Sequence, residues 1–300
     1  MVNILNYKDD YYNELNKLFR NVHKQKLEES NRYVDLHTHH GAYGLRTKVL
    51  TINGRLVGYI TYFNSFMDMF KNTLFVKEIY IQKPYDTCGN YKALLEKVRN
   101  FYILKRYKYA RLSLALECDS SNGDLISKLN LKTCRKLIEM KIDLNGPRPI
   151  QTNLGIKFTN FRNGIDENKR VIVQNSIFAD TDGHIDCDID DIISEENQDY
   201  YLEDGGTFID VNGNTAGYSQ VIFERYPNPR LYIVNFGLAK NFRNQGLGKL
   251  LLYHTLNMLY SKGFKEVYVT VNSNNTDAYN LYTMTGFQKT CNYYDCIYEY

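Results

Sequence analysis

The same order of strand and helix patterns occurs twice in this chain of 300 residues. In each half, two strand patterns joined by an Asn-Gly turn precede a third strand, a helix and a further strand. An offset of 156 residues superposes the halves, so that Pro84 falls on Lys240 and Ile126 on Tyr282. The stretch NGPRPIQTNLG at 145–155, with two prolines and two glycines, is the best linker pattern between them. The sequence therefore predicts an internal duplication and two α/β domains, 1–147 and 148–300, each a mixed central sheet flanked by helices.

The second half contains the fuller set of patterns. Asn212–Gly213 predicts a hairpin turn. Apolar side chains spaced three to four residues apart predict a helix over 246–262 that ends at Gly263, and a second helix is expected over 276–286. The predicted strands are 155–161, 206–213, 215–224, 230–239, 265–271 and one or two within 287–300, and two short helices are expected at 166–180 and 188–200.

Composition excludes several classes of protein. No apolar run approaches the roughly 18 residues that a membrane-spanning helix needs, and the first residues do not show the pattern of a signal peptide. The six cysteines form no Cys-x-x-Cys pair. We therefore expect reduced thiols, a cytoplasmic location and no membrane partner.

Charge is divided unevenly along the chain. Residues 1–150 contain 25 Lys and Arg against 15 Asp and Glu, a net charge of +10, whereas the remainder carries −7. From Val171 to Glu224 there is no Lys or Arg, while acidic residues such as Asp186, Asp188 and Asp190 recur. This segment is either a solvated acidic face or a field that attracts a cationic substrate.

The stretch FRNQGLGK at 242–249 lies between a predicted strand and a predicted helix. The first turn of a helix has unpaired N–H groups and the positive end of the macrodipole. Gly246 and Gly248 lack the Cβ atoms that would keep an anion at a distance, and Arg243 adds a planar cation. These residues could hold a pyrophosphate. The alternative is a glycine-rich turn with an exposed arginine.

Two motifs resemble those of the GNAT acetyltransferase superfamily. In LAKNFRNQGLGKLLL, residues 243, 246 and 248 match its acetyl-CoA motif, Arg/Gln-x-x-Gly-x-Gly/Ala. In VNSNNTDAYNLYTMTGF, Asn275 and the run Ala-x-x-Leu-Tyr-x-x-x-Gly-Phe at 278–287 are similar to its second signature. The resemblance covers residues 151–300, and in the first half it concerns the layout alone. It implies a tandem GNAT N-acetyltransferase with acetyl-CoA as co-substrate.

The resemblance also implies a role for each matching residue. The strand that ends at Phe236 and Leu238 would separate from its neighbour and offer backbone groups to the pantetheine arm, with the Phe236 N–H on the thioester carbonyl. Asn275 would hydrogen bond the pantetheine or position the next helix. Tyr282 would protonate the departing sulfur, which requires a phenol within hydrogen-bond distance as charge builds there; the alternative is a packed helix tyrosine. The pyrophosphate would lie on Arg243, Asn244, Gln245, Gly246, Leu247 and Gly248.

The first half departs from both motifs. Thr87 stands where the arginine is expected, Asn90 and Lys92 replace the glycines, and Ile126 replaces the tyrosine. Side chains therefore occupy the places where an anion would come close. We expect this half to bind no CoA and to perform no chemistry, but to shape the acceptor site or to serve packing.

The second half also departs from the family at one position. Relatives carry a glutamate on the fourth strand as general base, and this position maps to Val234, which cannot accept a proton. Either a water chain leads to an acid elsewhere on the acceptor side, for which Glu203, Asp204 and Glu224 are the candidates, or the acceptor arrives neutral.

Other ligands are disfavoured by their patterns. His37, His39 and His40 lie close together but have no third ligand at a readable spacing, so no metal site is expected. The run at 180–191 lacks the residue order of a calcium loop. The basic residues of the first half are scattered, so no nucleic-acid partner is expected.

Two functions remain. The first is direct transfer of an acetyl group to a primary amine of a small-molecule or peptide acceptor, which the acidic segment suggests is cationic. The second is a non-catalytic acyl-CoA sensor, which the valine at position 234 favours and Tyr282 disfavours. A nucleotide-binding Rossmann unit does not fit, because the glycine motif follows a late strand.

Overall fold

The computed structural model describes residues 1–23, 46–64, 72–99, 107–116, 121–152, 155–181, 184–224 and 229–300. The chain forms two compact units: Met1–Leu137 with Cys291–Tyr300, and Ile138–Thr290. The division therefore falls ten residues before the predicted boundary at 147/148, and the C-terminal strand belongs to the first unit. In the described residues no helix is long and apolar enough to cross a membrane.

The first unit is a mixed sheet with helices. Strands β1 to β4 pair antiparallel in chain order, β4 pairs parallel with β5, and β5 pairs antiparallel with the C-terminal strand β12. Its elements are β1 Val2–Asn6, α1 Tyr12–His23, β2 Arg46–Ile52, β3 Arg55–Asn64, β4 Thr73–Ile81, α2 Cys88–Arg99, β5 Tyr109–Leu116 and α3 Ser121–Leu129, with β6 Lys132–Asp143 and β12 Gln288–Glu299 each divided between the units.

The second unit has the same plan, with the sheet order β6-β11-β10-β9-β8-β7. The strands β7 to β10 pair antiparallel, and β10 pairs parallel with β11. Its remaining elements are β7 Ile156–Asn160, α4 Glu167–Phe178, α5 Ile189–Glu196, β8 Tyr201–Val211, β9 Asn214–Glu224, β10 Arg230–Leu238, α6 Leu247–Ser261, β11 Glu266–Asn272 and α7 Thr276–Thr285.

The hairpin turns lie where the sequence predicted them. Asn53 and Gly54 have φ values of 51° and 80°, and Asn212 and Gly213 have φ values of 50° and 83°. Positive φ at both central residues is the type I′ geometry that an Asn-Gly pair favours, because its twist matches that of the flanking strands. The mixed α/β architecture and its two-unit repetition are thus confirmed.

In the second unit, helices pack on both faces of the sheet. On one face α6 buries Leu252 and Leu256 against Ile233 and Val269. On the other face α4 packs its apolar side chains against Tyr218 and other residues of β8 and β9. The edges of the site described below are therefore fixed by two helices on opposite faces of one sheet.

Some sequence predictions differ from the structure or lie outside it. In the first half, the helix pattern YKALLEKVRNFYILKRY predicts a helix over 91–107. The helix begins earlier, at Cys88, and is described only to Arg99, since 100–106 lie outside the described residues. The long strand β6 was not predicted at all. His37, His39 and His40 lie outside the described part of the chain. So do residues 182–183 and Asp119, which the offset of 156 residues places on Asn275.

Candidate functional site

The strands β10 and β11 pair over a short length and then separate. Within these two described strands, the parallel register joins Tyr232 with Tyr268 and Ile233 with Val269, although β10 continues to Leu238. Beyond these pairs, the edge of β10 that faces β11 offers backbone groups to a ligand instead of to a strand. This is the separation that the sequence resemblance implied.

A bulge lies on the same part of β10. The register with β9 shifts between Val234 and Gly237, so that Asn235 and Phe236 lie outside the ladder, and Asn235 has a φ of 48°. A bulge re-aims the backbone of its strand. The Phe236 N–H is thereby removed from regular pairing with β9, at the position predicted to face a thioester carbonyl.

Close packing against α4 fixes the end of β10. A Cβ atom on Gly237 would lie 2.4 Å from Ile177 Cγ2, so the Ile177 side chain or its helix would have to move. Glycine at this position lets α4 approach the strand directly beside the bulge.

The N-terminus of α6 is open. Gly246 is its N-cap residue with a φ of 76°, no side chain caps the helix, and a Cβ added at Gly246 would meet nothing within 4 Å. The N–H of Leu250 donates to the Gly246 carbonyl at 3.3 Å, which leaves the N–H groups of residues 247–249 without partners one turn earlier. Open N–H groups at the positive end of a 15-residue helix form a site suited to an anion.

The Arg243 side chain contacts backbone carbonyls. Its Nε donates to Leu238 O at 3.0 Å and its Nη2 donates to Ile177 O at 2.8 Å. Asp180 lies 3.7 Å from Nη1. Arg243 therefore joins the end of β10 to the C-terminal turn of α4, where a cation also opposes the negative end of the helix dipole. These bonds position the loop. They also occupy N–H donors of Arg243 that the sequence analysis predicted to bind the pyrophosphate.

The other residues of the cradle, 243–248, divide into exposed and buried ones. Asn244 has a φ of 60° and is exposed, and the Gln245 amide donates to Asn241 O at 3.0 Å. Leu247 is buried in one cluster with Leu238. The buried leucines anchor the loop, while residues 244–246 lie at the surface with their backbone accessible to a ligand.

Asn275 is the N-cap of α7. Its Oδ1 accepts a hydrogen bond from the Ala278 N–H at 3.1 Å, and the side chain is exposed. Of the two roles predicted for Asn275, the structure shows the contact that positions the helix.

Tyr282 is buried on α7, with 6% of its surface exposed. Its ring lies 6.0 Å from that of Phe236 and 5.4 Å from that of Phe287. Burial raises the pKa of the Tyr282 hydroxyl above its usual range, so the phenol keeps its proton at neutral pH. Among the described residues, no side chain or backbone group hydrogen bonds to the Tyr282 hydroxyl. The contact with Phe236 brings the two motifs together beside the bulge.

The three carboxylates predicted for the acceptor side lie apart. Asp204 pairs with Lys262 at 3.8 Å, just past the C-terminal end of α6, about 22 Å along that helix from Gly246. Glu203 is exposed in the irregular part of β8. Glu224 is half-buried and pairs in register with Arg230 on β10. Glu224 is thus the one of the three that shares the β9–β10 ladder with the bulge.

Part of the acidic segment has structural partners. Asp188 and Asp191 form a reciprocal capping box at the start of α5, with bonds of 2.9 Å and 3.2 Å. The Glu195 carboxylate accepts a hydrogen bond from Arg170, whose side chain is fully buried. Asp186, beside His184 at 3.2 Å, is 76% exposed. Some carboxylates of this segment therefore stabilise the fold, and others expose negative charge to solvent.

The corresponding helix of the first unit is closed by its own side chains. Thr87 Oγ1 accepts a hydrogen bond from the Asn90 N–H at 3.2 Å, and the Asn90 amide donates to Tyr85 O at 2.8 Å. The Asp86 carboxylate, paired with Lys128 at 3.1 Å, adds negative charge beside this end of α2. An anion would have to displace the threonine cap and would meet a carboxylate.

An open groove of about 760 Å³ lies between α4 and the turn that precedes the cradle. Its lysines already have partners, Lys169 with Asp210 and Lys240 with Asp180. Neither Phe236 nor Tyr282 lines it. This groove therefore lies beside the motif residues and does not mark them.

A buried polar cluster near the bulge was not predicted from the sequence. Glu139 on β6 is 3% exposed, and its carboxylate accepts hydrogen bonds from the Tyr232 hydroxyl and from Thr290 Oγ1, both at 2.7 Å. Arg230 Nη1 lies 3.4 Å from the same carboxylate. No local signal could reveal this cluster, because Glu139 precedes the predicted linker and β6 itself was not recognised.

A metal centre finds no support. In the described part of the chain, no group of three or more His, Cys, Asp or Glu side chains could hold a metal ion. The histidines at 37, 39 and 40 lie outside it.

The separated strand pair, the bulge on the first strand and the open helix N-terminus directly after it are arranged as the sequence resemblance to the GNAT fold implied. Consistent with this, the Acetyltransferase (GNAT) family profile matches residues 175–287, which contain both motifs. These residues belong to that family, and the chain as a whole has the tandem GNAT fold.

Similar proteins support this assignment. A GCN5-related N-acetyltransferase from Sphaerobacter thermophilus superposes with a TM-score of 0.74 at 16% identity, over 99% of this chain and 95% of that one. A tandem GNAT protein from the clavulanic acid biosynthesis pathway gives 0.71 at 12% identity, over 100% and 98%. A mycothiol acetyltransferase from Amycolatopsis mediterranei is 26% identical over 179 residues, 55% of this chain. That alignment spans 58% of the relative's length.

Proposed function

We propose that the second unit binds acetyl-CoA and transfers its acetyl group directly to a primary amine of a small cationic acceptor. One observation carries this proposal. The open N-terminus of α6 follows the strand that separates from its parallel neighbour, with Tyr282 in contact with Phe236 at the bulge. A phosphate group and a thioester can thus be held by consecutive parts of one loop.

The residues present fit acetyl-CoA. The backbone N–H groups of 244–249 would bind the pyrophosphate, because they point outward from the positive end of α6. The Phe236 N–H would donate to the thioester oxygen, where negative charge builds during attack. Tyr282 would give its proton to the sulfur as the carbon–sulfur bond breaks. Arg243 and Asn275 would hold the loop and α7 in place.

The acidic segment supports a cationic acceptor. The Asp186 side chain is 76% exposed, and residues 171–224 contain no Lys or Arg, so this part of the unit presents a negative potential. An amine with a second positive charge would gain from it, and a neutral analogue would not. Polyamines, amino sugars and lysine peptides share this chemistry.

The first unit would bind no acetyl-CoA. Its helix N-terminus is occupied by the Thr87 hydroxyl and neighboured by the Asp86 carboxylate. One binding site per chain is therefore expected.

The test is calorimetric titration of acetyl-CoA into the wild type and into Gly246→Glu, followed by assays of CoA release. The amine panel is kanamycin, spermidine, a lysine peptide and the matched pair 1,3-diaminopropane and propylamine. One site per chain, lost in the variant, with turnover of a dicationic amine is the expected result. Tyr282→Phe should lower kcat by roughly 10²–10⁴-fold with little change in affinity for acetyl-CoA, whereas Tyr279→Phe, one turn earlier on α7, should not.

Binding without turnover of any amine would instead indicate an acyl-CoA sensor. Two sites per chain would show that the first unit retains a cradle. Absence of binding would leave the glycine motif as a turn and would refute the proposal.

A further inference from the structure

The acyl-transfer site needs a group that takes a proton from the acceptor amine, and Val234 cannot do this. The nitrogen that adds to the thioester carbon carries one proton too many once the carbon–nitrogen bond has formed. A base placed beside the gap between β10 and β11 would remove it. The described residues contain one buried carboxylate with a polar connection to β10, which is Glu139.

Tyr232 lies where such a connection is needed. It belongs to the last residue pairs of β10 and β11 before the strands separate, and it precedes Val234 by two residues, about 7 Å along the strand and on the same face. Leu231 and Ile233 are buried, with Ile233 on the face that α6 covers, so the Tyr232 ring lies on the opposite face. Tyr282 packs with the α6 cluster. The two tyrosines therefore lie on opposite sides of the sheet at the same gap.

The Tyr232 hydroxyl already donates a hydrogen bond to a buried carboxylate. It donates to Glu139 Oε2 at 2.7 Å, and Thr290 Oγ1 donates to the other oxygen of that carboxylate at 2.7 Å. Tyr232 itself is half-buried. Arg230 Nη1 also donates to the Tyr232 oxygen, at 3.5 Å. A phenol oxygen has two lone pairs, so the second one can accept a proton while the hydroxyl gives up its own.

Charged and polar side chains surround Tyr232 on both neighbouring strands. Arg230 Nη1 lies 3.4 Å from both Glu139 oxygens, and Glu224 faces Arg230 from β9. On the β11 side, the Tyr268 ring lies 5.5 Å from that of Tyr232, and its hydroxyl donates to Glu266 at 2.9 Å. The Arg230 cation therefore lies beside the same carboxylate that accepts the Tyr232 hydrogen bond.

We propose, on the basis of the proposed acetyl transfer, that Tyr232 takes the proton from the acceptor amine and passes its own to Glu139. The amine nitrogen bonds to the thioester carbonyl carbon, and its proton moves to the Tyr232 oxygen as the Tyr232 proton moves to the Glu139 carboxylate. The carbon–sulfur bond breaks with its electron pair on sulfur, which takes the Tyr282 proton. After release of the amide and CoA, Glu139 loses its proton to water and Tyr282 regains one. Glu139 acts through Tyr232 and is a positioning residue in this scheme.

Burial and the Glu139 carboxylate raise the pKa of Tyr232 above its usual range. A free phenolate is therefore disfavoured, and the two proton movements have to be coupled. This supports a relay over a separate ionisation step.

The test compares wild type, Tyr232→Phe, Glu139→Gln and the double variant in acetylation of the amine that the wild type turns over fastest. Each single variant should lower kcat at pH 7 by roughly 10²–10³-fold, and the double variant should be no slower, because the two residues act as one unit. Affinity for acetyl-CoA should stay within about twofold. The loss should shrink as pH rises, since hydroxide from solvent can then take the extra proton from the nitrogen once the carbon–nitrogen bond has formed. Tyr268→Phe, the neighbouring tyrosine on β11, is the matched control and should keep the wild-type rate.

A second readout does not depend on turnover. In protein labelled with [ζ-¹³C]tyrosine, the Tyr232 resonance is the one missing from Tyr232→Phe, and it should shift in Glu139→Gln as the hydrogen bond changes partner. An unchanged kcat in Tyr232→Phe, or a loss of the same size at every pH, would overturn the relay while leaving the acetyl transfer intact. A wild type that binds no acetyl-CoA, or acetylates no amine of the panel, would instead refute the proposed function, and the relay with it.

Discussion

Arg243 Nη2 donates to the carbonyl oxygen of Ile177 at 2.8 Å, and this bond holds the last turn of α4 against the loop that leads into α6. Its Nε bond to Leu238 O, at 3.0 Å, fixes the end of β10 in the same way. The arginine of the motif therefore connects β10, α4 and the loop that leads into α6. In the proposed function, the open backbone of residues 244–249 would supply the anion site instead.

Replacement of Arg243 should consequently destabilise the protein without any ligand. Arg243→Gln removes two charge-assisted hydrogen bonds to carbonyls that are near the surface, and we expect a loss of about 1–3 kcal/mol in the free energy of unfolding. Urea unfolding of the ligand-free protein measures this loss. The matched control is Lys240→Gln, since Lys240 is 73% exposed and pairs with Asp180 at the surface; its loss should be under about 1 kcal/mol. Equal stability of Arg243→Gln and wild type would show that the side chain is free to bind ligand.

Two glycines at opposite ends of α6 allow strain and binding to be separated. Gly246 and Gly263 have φ values of 76° and 84°, and a Cβ at either would meet nothing within 4 Å. Alanine at each should therefore cost about 1 kcal/mol in the free energy of unfolding, because both backbones are left-handed. Only Gly246→Ala should weaken acetyl-CoA binding in calorimetry, since Gly263 lies at the far end of the helix. Similar losses of affinity in both variants would mean that strain alone explains the effect.

How much of this could be predicted from the sequence depends on the range of each interaction. The Asn-Gly turns, the open end of α6 and the Asn275 cap are local, and their residue types fix the backbone nearby. The Arg243–Ile177 bond and the Tyr232–Glu139 bond join residues that are 66 and 93 positions apart. A period of two indicates a strand but not its neighbour, so the pairing of the C-terminal strand with β5 also could not be predicted.

The acidic segment gives a test of the acceptor assignment. Asp186→Asn removes an exposed charge, and Asp188→Asn keeps the N-cap of α5, because asparagine caps as well as aspartate. Both should raise KM for spermidine, by roughly two- to fivefold each if about 0.4–1 kcal/mol of attraction is lost, with unchanged affinity for acetyl-CoA. Asp188→Ala should instead lower the free energy of unfolding by about 1 kcal/mol. An unchanged KM in the two asparagine variants would place the acceptor elsewhere.

The C-terminal strand should determine the stability of the first unit. The Asp295 carboxylate on β12 bonds Arg111 Nε at 2.8 Å and Arg135 Nε at 3.0 Å. Burial opposes its ionisation, but the hydrogen bonds and charges of the two arginines hold the pKa of Asp295 below its usual range. Its stabilising contribution is therefore present above pH 4 and is lost as pH falls through the lowered pKa.

Asp295→Asn should lower the free energy of unfolding by about 2–3 kcal/mol at pH 7, less than for a fully buried pair because Arg135 is half exposed. The difference from wild type should shrink on acidification to pH 3, because the Asp295 carboxylate of the unfolded chain takes up a proton below its ordinary pKa of about 4. Denaturant unfolding at both pH values measures this. A difference that stays constant with pH would show that the carboxylate charge does not contribute.

Alkaline unfolding should report on Tyr282. Its pKa is raised by burial in the folded protein, whereas an unfolded tyrosine ionises near pH ~10. Below that pH both states keep the proton, and there is no effect. Above it the unfolded chain loses the proton while the folded one holds it, so the free energy of unfolding falls by up to about 1.4 kcal/mol per pH unit for each such group. Tyr201, whose pKa burial raises to about 12, contributes in the same direction. Urea unfolding at pH 9, 10 and 11 should therefore show a steeper loss of stability in wild type than in Tyr282→Phe. Parallel curves would mean that the Tyr282 hydroxyl reaches solvent and ionises in the folded protein, which would also weaken its assignment as the acid that protonates the sulfur.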